Sequence, residues 1–314
     1  MHSLRNIESG SDERFTMRKN APLSDDLFIV KKGVLTRRRN RAATSARQTR
    51  HERHDEERQR DQRGKLIRAT IANRSLETHF QPIVDLRSGV AVGTEALSRF
   101  DQELFQTPDL WFAEAADLGL GIELELTAVD MALEQLHSLP SSQYLSLNAS
   151  VETIMSDSFR EILSDVPAER IVLELTEHTP ITDYDAFARS IGELRSNGVR
   201  LAVDDAGSGF SSFVHILNLK PDIIKLDIAL TRGIDKDPAR QALGRALLTF
   251  GLEAYRNTIV AEGIETEGEL AMLRSLGCRI GQGFLLGRPR RMARQPRMLP
   301  LLNPDPFPLL EAMS

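Results

Sequence analysis

The chain has 314 residues, 41% of them hydrophobic, which is enough for a substantial core in one large domain or two small ones. Residues 1–64 carry 16 Lys+Arg and 10 Asp+Glu, a net charge of +6, whereas the whole chain is −5, so the remainder is −11. Cys278 is the single cysteine, which excludes an internal disulfide, and no stretch approaches the ~20 apolar residues that cross a bilayer. Because no secretory signal opens the chain, we expect a cytoplasmic protein.

Residues 1–64 are predicted to be a basic leader rather than a packed domain. The run that contains Arg37, Arg38, Arg39 and Arg41 is charge-dense, and so small a share of apolar side chains does not offset the entropy lost on ordering. Opposite charges four residues apart allow a charged helix over residues 50–71. The arginines are suited to contact with nucleic acid or an anionic surface.

Residues 65–298 are predicted to form one domain, followed by a C-terminal tail at 299–314. Eight short β-rich runs occur in this domain, and from the third onward they alternate with helix-length segments. This pattern predicts an α/β fold, a (β/α)8 TIM-like barrel, with a doubly wound open sheet as the alternative. The first two runs, 80–86 and 90–96, are joined by a three-residue turn, which predicts an antiparallel first strand pair.

Acidic and amide side chains recur at the predicted carboxyl ends of the strands, where a barrel of this kind builds its active site. Their convergence would cause severe repulsion unless cations neutralise it. All-oxygen ligands without clustered His or Cys favour Mg²⁺ or Mn²⁺, and the number of carboxylates favours two ions, an arrangement that serves phosphoester cleavage. The acidic and amide residues at these predicted strand ends are Glu95, Asn148, Glu174, Asp204, Asp205 and Glu262.

The same motifs, in the same order, resemble the bacterial EAL family of cyclic-di-GMP phosphodiesterases. The resemblance runs from about residue 80 to 289 and includes the name-giving Glu95-Ala96-Leu97, the pair Asp204-Asp205, Lys225-Leu226-Asp227 and Gln282-Gly283-Phe284. It implies hydrolysis of one phosphodiester of cyclic di-GMP, giving linear pGpG, in bacterial signal transduction.

The resemblance also implies a role for each matching residue. Glu95, Asn148, Glu174 and Asp204 would hold the first metal, and Asp204, Asp205 and Glu262 the second. Lys225 would act with the attacking water as a catalytic residue, alongside Asp205, Glu262 and Gln282. Gln81, Leu97, Arg99 and Gln282 would contact the substrate. Ca²⁺ is expected to inhibit, because it is larger than Mg²⁺ and accepts looser geometry.

One position departs from the family pattern. The loop after the fifth strand commonly begins Asp-Asp-Phe, whereas here Ala206 follows the two aspartates. The resemblance connects this loop, through Glu177, Ser208 and Glu265, to a homodimer interface. The coupling of dimerisation to activity is therefore the property that Ala206 puts in question.

Two alternatives remain. An EAL domain without catalysis would bind cyclic di-GMP as an effector, although such domains typically lose a ligand and none is lost here. A glycosidase on the same barrel would use Glu174 and Glu262 as its carboxylate pair. One Trp and three Tyr are few for sugar stacking, and such an enzyme has no need of the remaining ligand set.

Overall fold

The computed structural model describes residues 57–100, 107–175, 181, 183–206, 211–251 and 258–292. The predicted leader up to residue 56, the tail at 299–314, Glu177 and Ser208 lie outside these ranges. Within them, no helix is long and apolar enough to span a membrane.

Eight strands close into a barrel in sequence order. The first strand is antiparallel to both of its neighbours, the second and the eighth, and all other pairs are parallel. The predicted barrel and its antiparallel first pair are thus confirmed, and an open sheet is excluded. The strands are β1 Glu77–Asp85, β2 Ala91–Arg99, β3 Tyr144–Asn148, β4 Ile171–Leu175, β5 Arg200–Ala206, β6 Ile223–Leu226, β7 Thr258–Ala261 and β8 Ile280–Gly281.

The turn between β1 and β2 is built by local hydrogen bonds. The Asp85 carboxylate accepts from the backbone N–H groups of Arg87 and Ser88 at 3.1 and 2.8 Å. Gly89 then takes a φ of 72°, a conformation open to a residue without a Cβ. These features of the sequence fix the hairpin and hence the reversed direction of β1.

Helices cover the outside of the barrel and bury their apolar faces against the strands. Side-chain caps define several starts, including a capping box in which Thr266 and Glu269 each bond the other's backbone N–H. The helices are α1 at residues 57–73, α2 Pro108–Asp117, α3 Gly121–Leu133, α4 Val151–Met155, α5 Asp157–Leu163, α6 Tyr184–Ser196, α7 Ser211–Leu219, α8 Ile228–Thr231, α9 Pro238–Phe250 and α10 Glu267–Ser275.

Helix α1 belongs to a small core beside the barrel. Ile67 is fully buried in a cluster with Phe100, Trp111 and Leu124, and the Phe100 and Trp111 rings stack with centroids 4.5 Å apart. Arg63 adds an ion pair with Glu114 of α2 at 2.6 Å. The helix runs without a break across residues 64 and 65, so the predicted domain boundary falls inside a helix.

Alternate residues of each strand point into the barrel. Their side chains form three layers along the barrel axis. On β5 these are Arg200, Ala202 and Asp204, from the amino-terminal end of the strand to the carboxyl end. An apolar middle layer separates charged groups at the two ends of the barrel. It comprises Ile83, Val172, Ala202, Ile223 and Val260, and Tyr144 packs against them from the amino-terminal end of β3.

Candidate active site

Lys225 lies at the centre of the carboxyl-terminal layer. Its Nζ is 2.7 Å from Glu262 Oε1, 2.8 Å from Glu174 Oε2 and 3.0 Å from Asp204 Oδ2, with Glu95 Oε2 at 3.6 Å. The Lys225 side chain is 1% exposed. Strands β2, β4, β5, β6 and the residue after β7 therefore meet at one ammonium group.

Five carboxylates form two overlapping groups around this lysine. Glu95, Glu174 and Asp204 offer oxygens within 4.8 Å of one another, and so do Asp204, Asp205 and Glu262. Because Asp204 belongs to both groups, one carboxylate can bridge two adjacent cation positions. Five ionised carboxylates and one ammonium leave four negative charges, which two divalent ions would neutralise. The donor set consists of oxygens, as hard cations require.

Gln282 joins this centre to strand β1. Its Nε2 donates to Gln81 Oε1 at 3.0 Å and to Glu95 Oε2 at 2.6 Å. Gln81 in turn donates to the carbonyl of Gly287 at 3.0 Å, while Asn148 donates to Glu95 Oε1 at 3.1 Å. The Oε1 of Gln282 is buried and has no hydrogen-bond partner among the described residues. An unsatisfied buried acceptor beside a carboxylate cluster fits a site that takes up water.

Burial and mutual repulsion shift the protonation equilibria of the carboxylates. Burial, reinforced by the negative charge of Glu95, raises the pKa of Glu174 to about 8. Burial also raises the pKa of Glu262 well above its ordinary value, despite Lys225. Although burial alone would raise it, the pKa of Glu95 is lowered by Lys225 and by hydrogen bonds from Gln282 and Asn148. Without other cations, the site therefore holds protons that a metal would displace.

The end of β5 has an irregular backbone. Asp205 has a φ of 55°, its N–H donates to Asp204 Oδ1 at 2.8 Å, and the register against β6 shifts between Val203 and Ala206. This bulge turns adjacent aspartates toward the same centre, which regular alternation would not do. Burial and the neighbouring charges of Asp204 and Asp227 raise the pKa of Asp205 to about 6.

Ala206, the departure from the family pattern, is fully buried at the end of β5. It pairs with Leu226 of β6 and packs in the apolar cluster that includes Ile224 and Ile264. Its carbonyl accepts from the N–H of Asp227 at 3.2 Å. The small side chain of Ala206 therefore lies in the core, and the backbone that carries Asp204 and Asp205 is paired with β6 at this point.

The remaining predicted residues lie farther from the carboxylates. Leu97 and Arg99 follow Glu95 on the same face of β2, about 7 and 13 Å beyond it at the usual rise of a strand. Arg99 donates to the carbonyl of Ser98 at 2.8 Å. Glu265 belongs to neither of the two carboxylate groups found among the described residues. It forms an ion pair with Arg232 at 3.1 Å. Its predicted partners in loop coupling, Glu177 and Ser208, are outside the described residues.

Sequence reasoning missed Ser146, which lies two residues before Asn148 on the inward face of β3. Its hydroxyl donates to Glu174 Oε1 at 2.5 Å. Ser146 as a whole is 1% exposed. The period of two in Tyr144, Ser146 and Asn148 was the available signal. No signal in the sequence indicates the strand register that places Ser146 beside Glu174.

The site and the barrel define the class of the protein: a (β/α)-type barrel whose mouth carries a cluster of carboxylates that could hold cations. A family model described as EAL domain matches residues 65–289. The chain therefore belongs to the EAL domain family.

Curated relatives agree with this family. The bifunctional diguanylate cyclase/cyclic di-GMP phosphodiesterase MucR of Pseudomonas aeruginosa is 31% identical over 235 residues, which are 71% of this chain and 34% of MucR. The probable cyclic di-GMP phosphodiesterase PdeD of Escherichia coli is 28% identical over 249 residues, 76% of this chain and 46% of PdeD. This chain thus matches less than half the length of each of these relatives.

Solved structures share the fold. The PaMucR phosphodiesterase in complex with c-di-GMP superposes with a TM-score of 0.65 at 30% identity, covering 73% of this chain and 98% of that one. A manganese and cyclic-di-GMP complex of Klebsiella pneumoniae BlrP1 superposes with a TM-score of 0.62 at 28% identity, covering 69% of this chain and 56% of that one.

Proposed function

We propose that this protein hydrolyses one phosphodiester bond of cyclic di-GMP to linear pGpG. The observation that carries the proposal is the centre around Lys225, where five carboxylates, two amide side chains and a buried ammonium converge at the barrel mouth. Relatives named as cyclic di-GMP phosphodiesterases, and neighbouring structures that hold this dinucleotide, support the choice of substrate.

We propose two Mg²⁺ or Mn²⁺ ions as cofactors. Glu95, Asn148, Glu174 and Asp204 would hold one, and Asp204, Asp205 and Glu262 the other. The ions would lower the pKa of a water molecule between them and neutralise charge on the phosphate. BlrP1 has been solved with manganese and with calcium. Calcium is expected to support binding but little turnover here, because it tolerates longer and less regular coordination.

The chain's own side chains would supply the rest of the chemistry. Lys225 remains cationic, since its carboxylate neighbours raise its pKa well above the ordinary value although burial opposes this. Its ammonium can orient a water molecule and stabilise negative charge that develops during attack. The free Oε1 of Gln282 can accept a hydrogen bond from that water. Farther out, the planar guanidinium of Arg99 suits a phosphate of the dinucleotide.

The test is turnover of cyclic di-GMP to pGpG by the purified protein with Mg²⁺, with and without excess chelator. Glu95→Gln, which keeps the side-chain size but removes a ligand charge, should reduce turnover at least about a hundredfold. Full activity in chelator, or in Glu95→Gln, would refute the two-metal assignment. Binding of cyclic di-GMP without turnover under any divalent ion would instead identify an effector, and cleavage of a glycoside would identify the glycosidase.

We also propose a homodimer, with the loop after β5 at its interface. The support is the family resemblance at Glu177, Ser208 and Glu265, not a described contact. Light scattering of the purified protein measures the mass directly. A monomer with full turnover would show that dimerisation is not required.

A further inference from the structure

A cavity of about 360 Å³ lies at the end of the barrel opposite the carboxylates. Its wall includes the first residues of β3, β5, β6, β7 and β8, namely Tyr144, Arg200, Ile223, Thr258 and Ile280. Thr258 and the neighbouring Ser141 are exposed, so the cavity opens to solvent. A space of this size holds a small organic molecule.

Arg200 gives this cavity a positive charge that forms no ion pair with any carboxylate of the described residues. Its guanidinium carbon lies 4.5 Å above the centroid of the Tyr144 ring. No carboxylate of the described chain lies within 4.0 Å of its nitrogens. The ring covers one face of the guanidinium and leaves the N–H edge to face a planar acceptor.

Arg170 adds a second positive charge to the same wall. It donates to three backbone carbonyls, those of Gln143, Leu139 and Pro140, at 2.9, 3.2 and 2.9 Å. These bonds hold the guanidinium, and none of its partners among the described residues is a carboxylate. Two arginines against the single Glu169 give the cavity a net positive charge, although residues 65–314 are net −11. Such a charge attracts anions.

The apolar part of the wall favours an occupant that is more than a bare ion. Val92, Ile223 and Ile280 line the cavity together with Tyr144. Gly93 makes room for this ring, because a Cβ there would lie 2.4 Å from it. A ligand with a flat apolar body and one oxyanion would satisfy both surfaces at once.

We propose that this cavity is a second ligand site. It binds a small aromatic or similarly flat molecule whose carboxylate or phosphate group contacts the guanidinium of Arg200. The site is separated from the carboxylate mouth by the apolar middle layer of the barrel. It therefore does not depend on the proposed hydrolysis of cyclic di-GMP.

The test is calorimetric titration of the full chain with benzoate and with phenyl phosphate, in excess chelator. Without divalent ions, the acidic mouth repels anions and leaves the cavity as the favoured site. We expect saturable one-to-one binding of at least one acid. Tighter binding of phenyl phosphate would assign a phosphate ester, and tighter binding of benzoate a carboxylate. Neutral benzyl alcohol should bind at least about tenfold more weakly, since it lacks the charged acceptor.

A pair of arginine variants locates the binding. Arg200→Met retains a long side chain over Tyr144 but loses the charge, and should weaken binding at least about tenfold. Arg245→Met removes an equal charge from the exposed face of α9 and should leave the affinity unchanged. Failure of both acids to saturate would overturn the proposal. Equal affinity in the wild type and in Arg200→Met, with both proteins folded by circular dichroism, would also do so.

Discussion

Lys225 is a buried cation whose charge serves folding as well as the proposed chemistry. Lys225→Met should lower the free energy of unfolding in chelator by about 3 kcal/mol, because four carboxylates lose their nearest counter-ion. Added Mg²⁺ should restore more stability to the variant than to the wild type. Urea denaturation with and without Mg²⁺ measures both effects.

Lys236→Met is the matched control for this prediction. The Lys236 side chain is 84% exposed, and its nearest carboxylate is 3.9 Å away. Its replacement should change stability by less than about 0.5 kcal/mol. Equal effects of the two variants would contradict the assignment of Lys225 as the internal counter-ion.

The raised pKa values predict how pH controls metal affinity. Between about pH 6 and about pH 8, Asp205 (pKa about 6) and then Glu174 (pKa about 8) lose their protons in the metal-free protein. Metal binding needs the ionised forms, so Mn²⁺ affinity should rise at least about tenfold over this interval. Calorimetric titration with Mn²⁺ at the two pH values measures the change.

The same shifts affect stability in the opposite direction. A carboxyl group with a raised folded pKa binds its proton more tightly in the folded state, so metal-free stability should fall as pH rises from 4.5 toward about 8 through the titration of Glu174. Glu174→Gln removes this titrating group and should flatten both profiles. Unchanged pH profiles in that variant would show that another group is responsible.

At the scale of elements, the glycine after β8 holds Gln282 in place. A Cβ on Gly283 would lie 2.2 Å from the backbone N and O of Ile264, whose N–H donates to the Gln282 carbonyl at 3.0 Å. Gly283→Ala should therefore force the two segments apart and lower the free energy of unfolding by about 2 kcal/mol. It should also reduce turnover, because Gln282 shifts with the backbone.

Gly192→Ala is the matched change at an open position. Gly192 lies within α6, and a Cβ there meets no atom within 4 Å. Because alanine has the higher helix propensity, this variant should gain up to about 1 kcal/mol. Thermal unfolding of both variants tests the pair, and a stabilised Gly283→Ala protein would disprove the close approach.

Strand periodicity explains why so much of the barrel was accessible from the sequence. Apolar runs that lead into Glu174 or Asp204 mark both a strand and its carboxyl end, and parallel strands bring those ends together. The sequence also predicts a strand end at Glu95, but β2 continues to Arg99, so Glu95 lies at its centre. The bulge at Asp205 and the bond from Ser146 to Glu174 depend instead on register between strands. So does the meeting of Arg200 with Tyr144. Closing a barrel requires a fixed stagger of the strands around the whole sheet, so the register depends on all eight strands together and not on the pattern of one strand alone.

At the scale of the molecule, the barrel carries opposite charge at its two ends. The mouth gathers five carboxylates around Lys225, the middle layer is apolar, and the opposite end presents Arg170 and Arg200. The apolar layer separates the two ends, so the carboxylates and the arginines do not form direct ion pairs across it within the described residues. These charges would favour cations at the mouth and anions at the opposite end.

Helix α1 defines how much of the chain the barrel needs. A chain that begins at residue 57 should keep the stability and turnover of the full protein, because it retains α1 with Ile67 and Arg63. A chain that begins at residue 75 loses the buried Ile67 and should be less stable by at least about 3 kcal/mol. Trp111, the single tryptophan, stacks in the same core and reports its exposure by a red shift of fluorescence. A red shift already in the chain from residue 57, or none in the chain from residue 75, would contradict this role of α1.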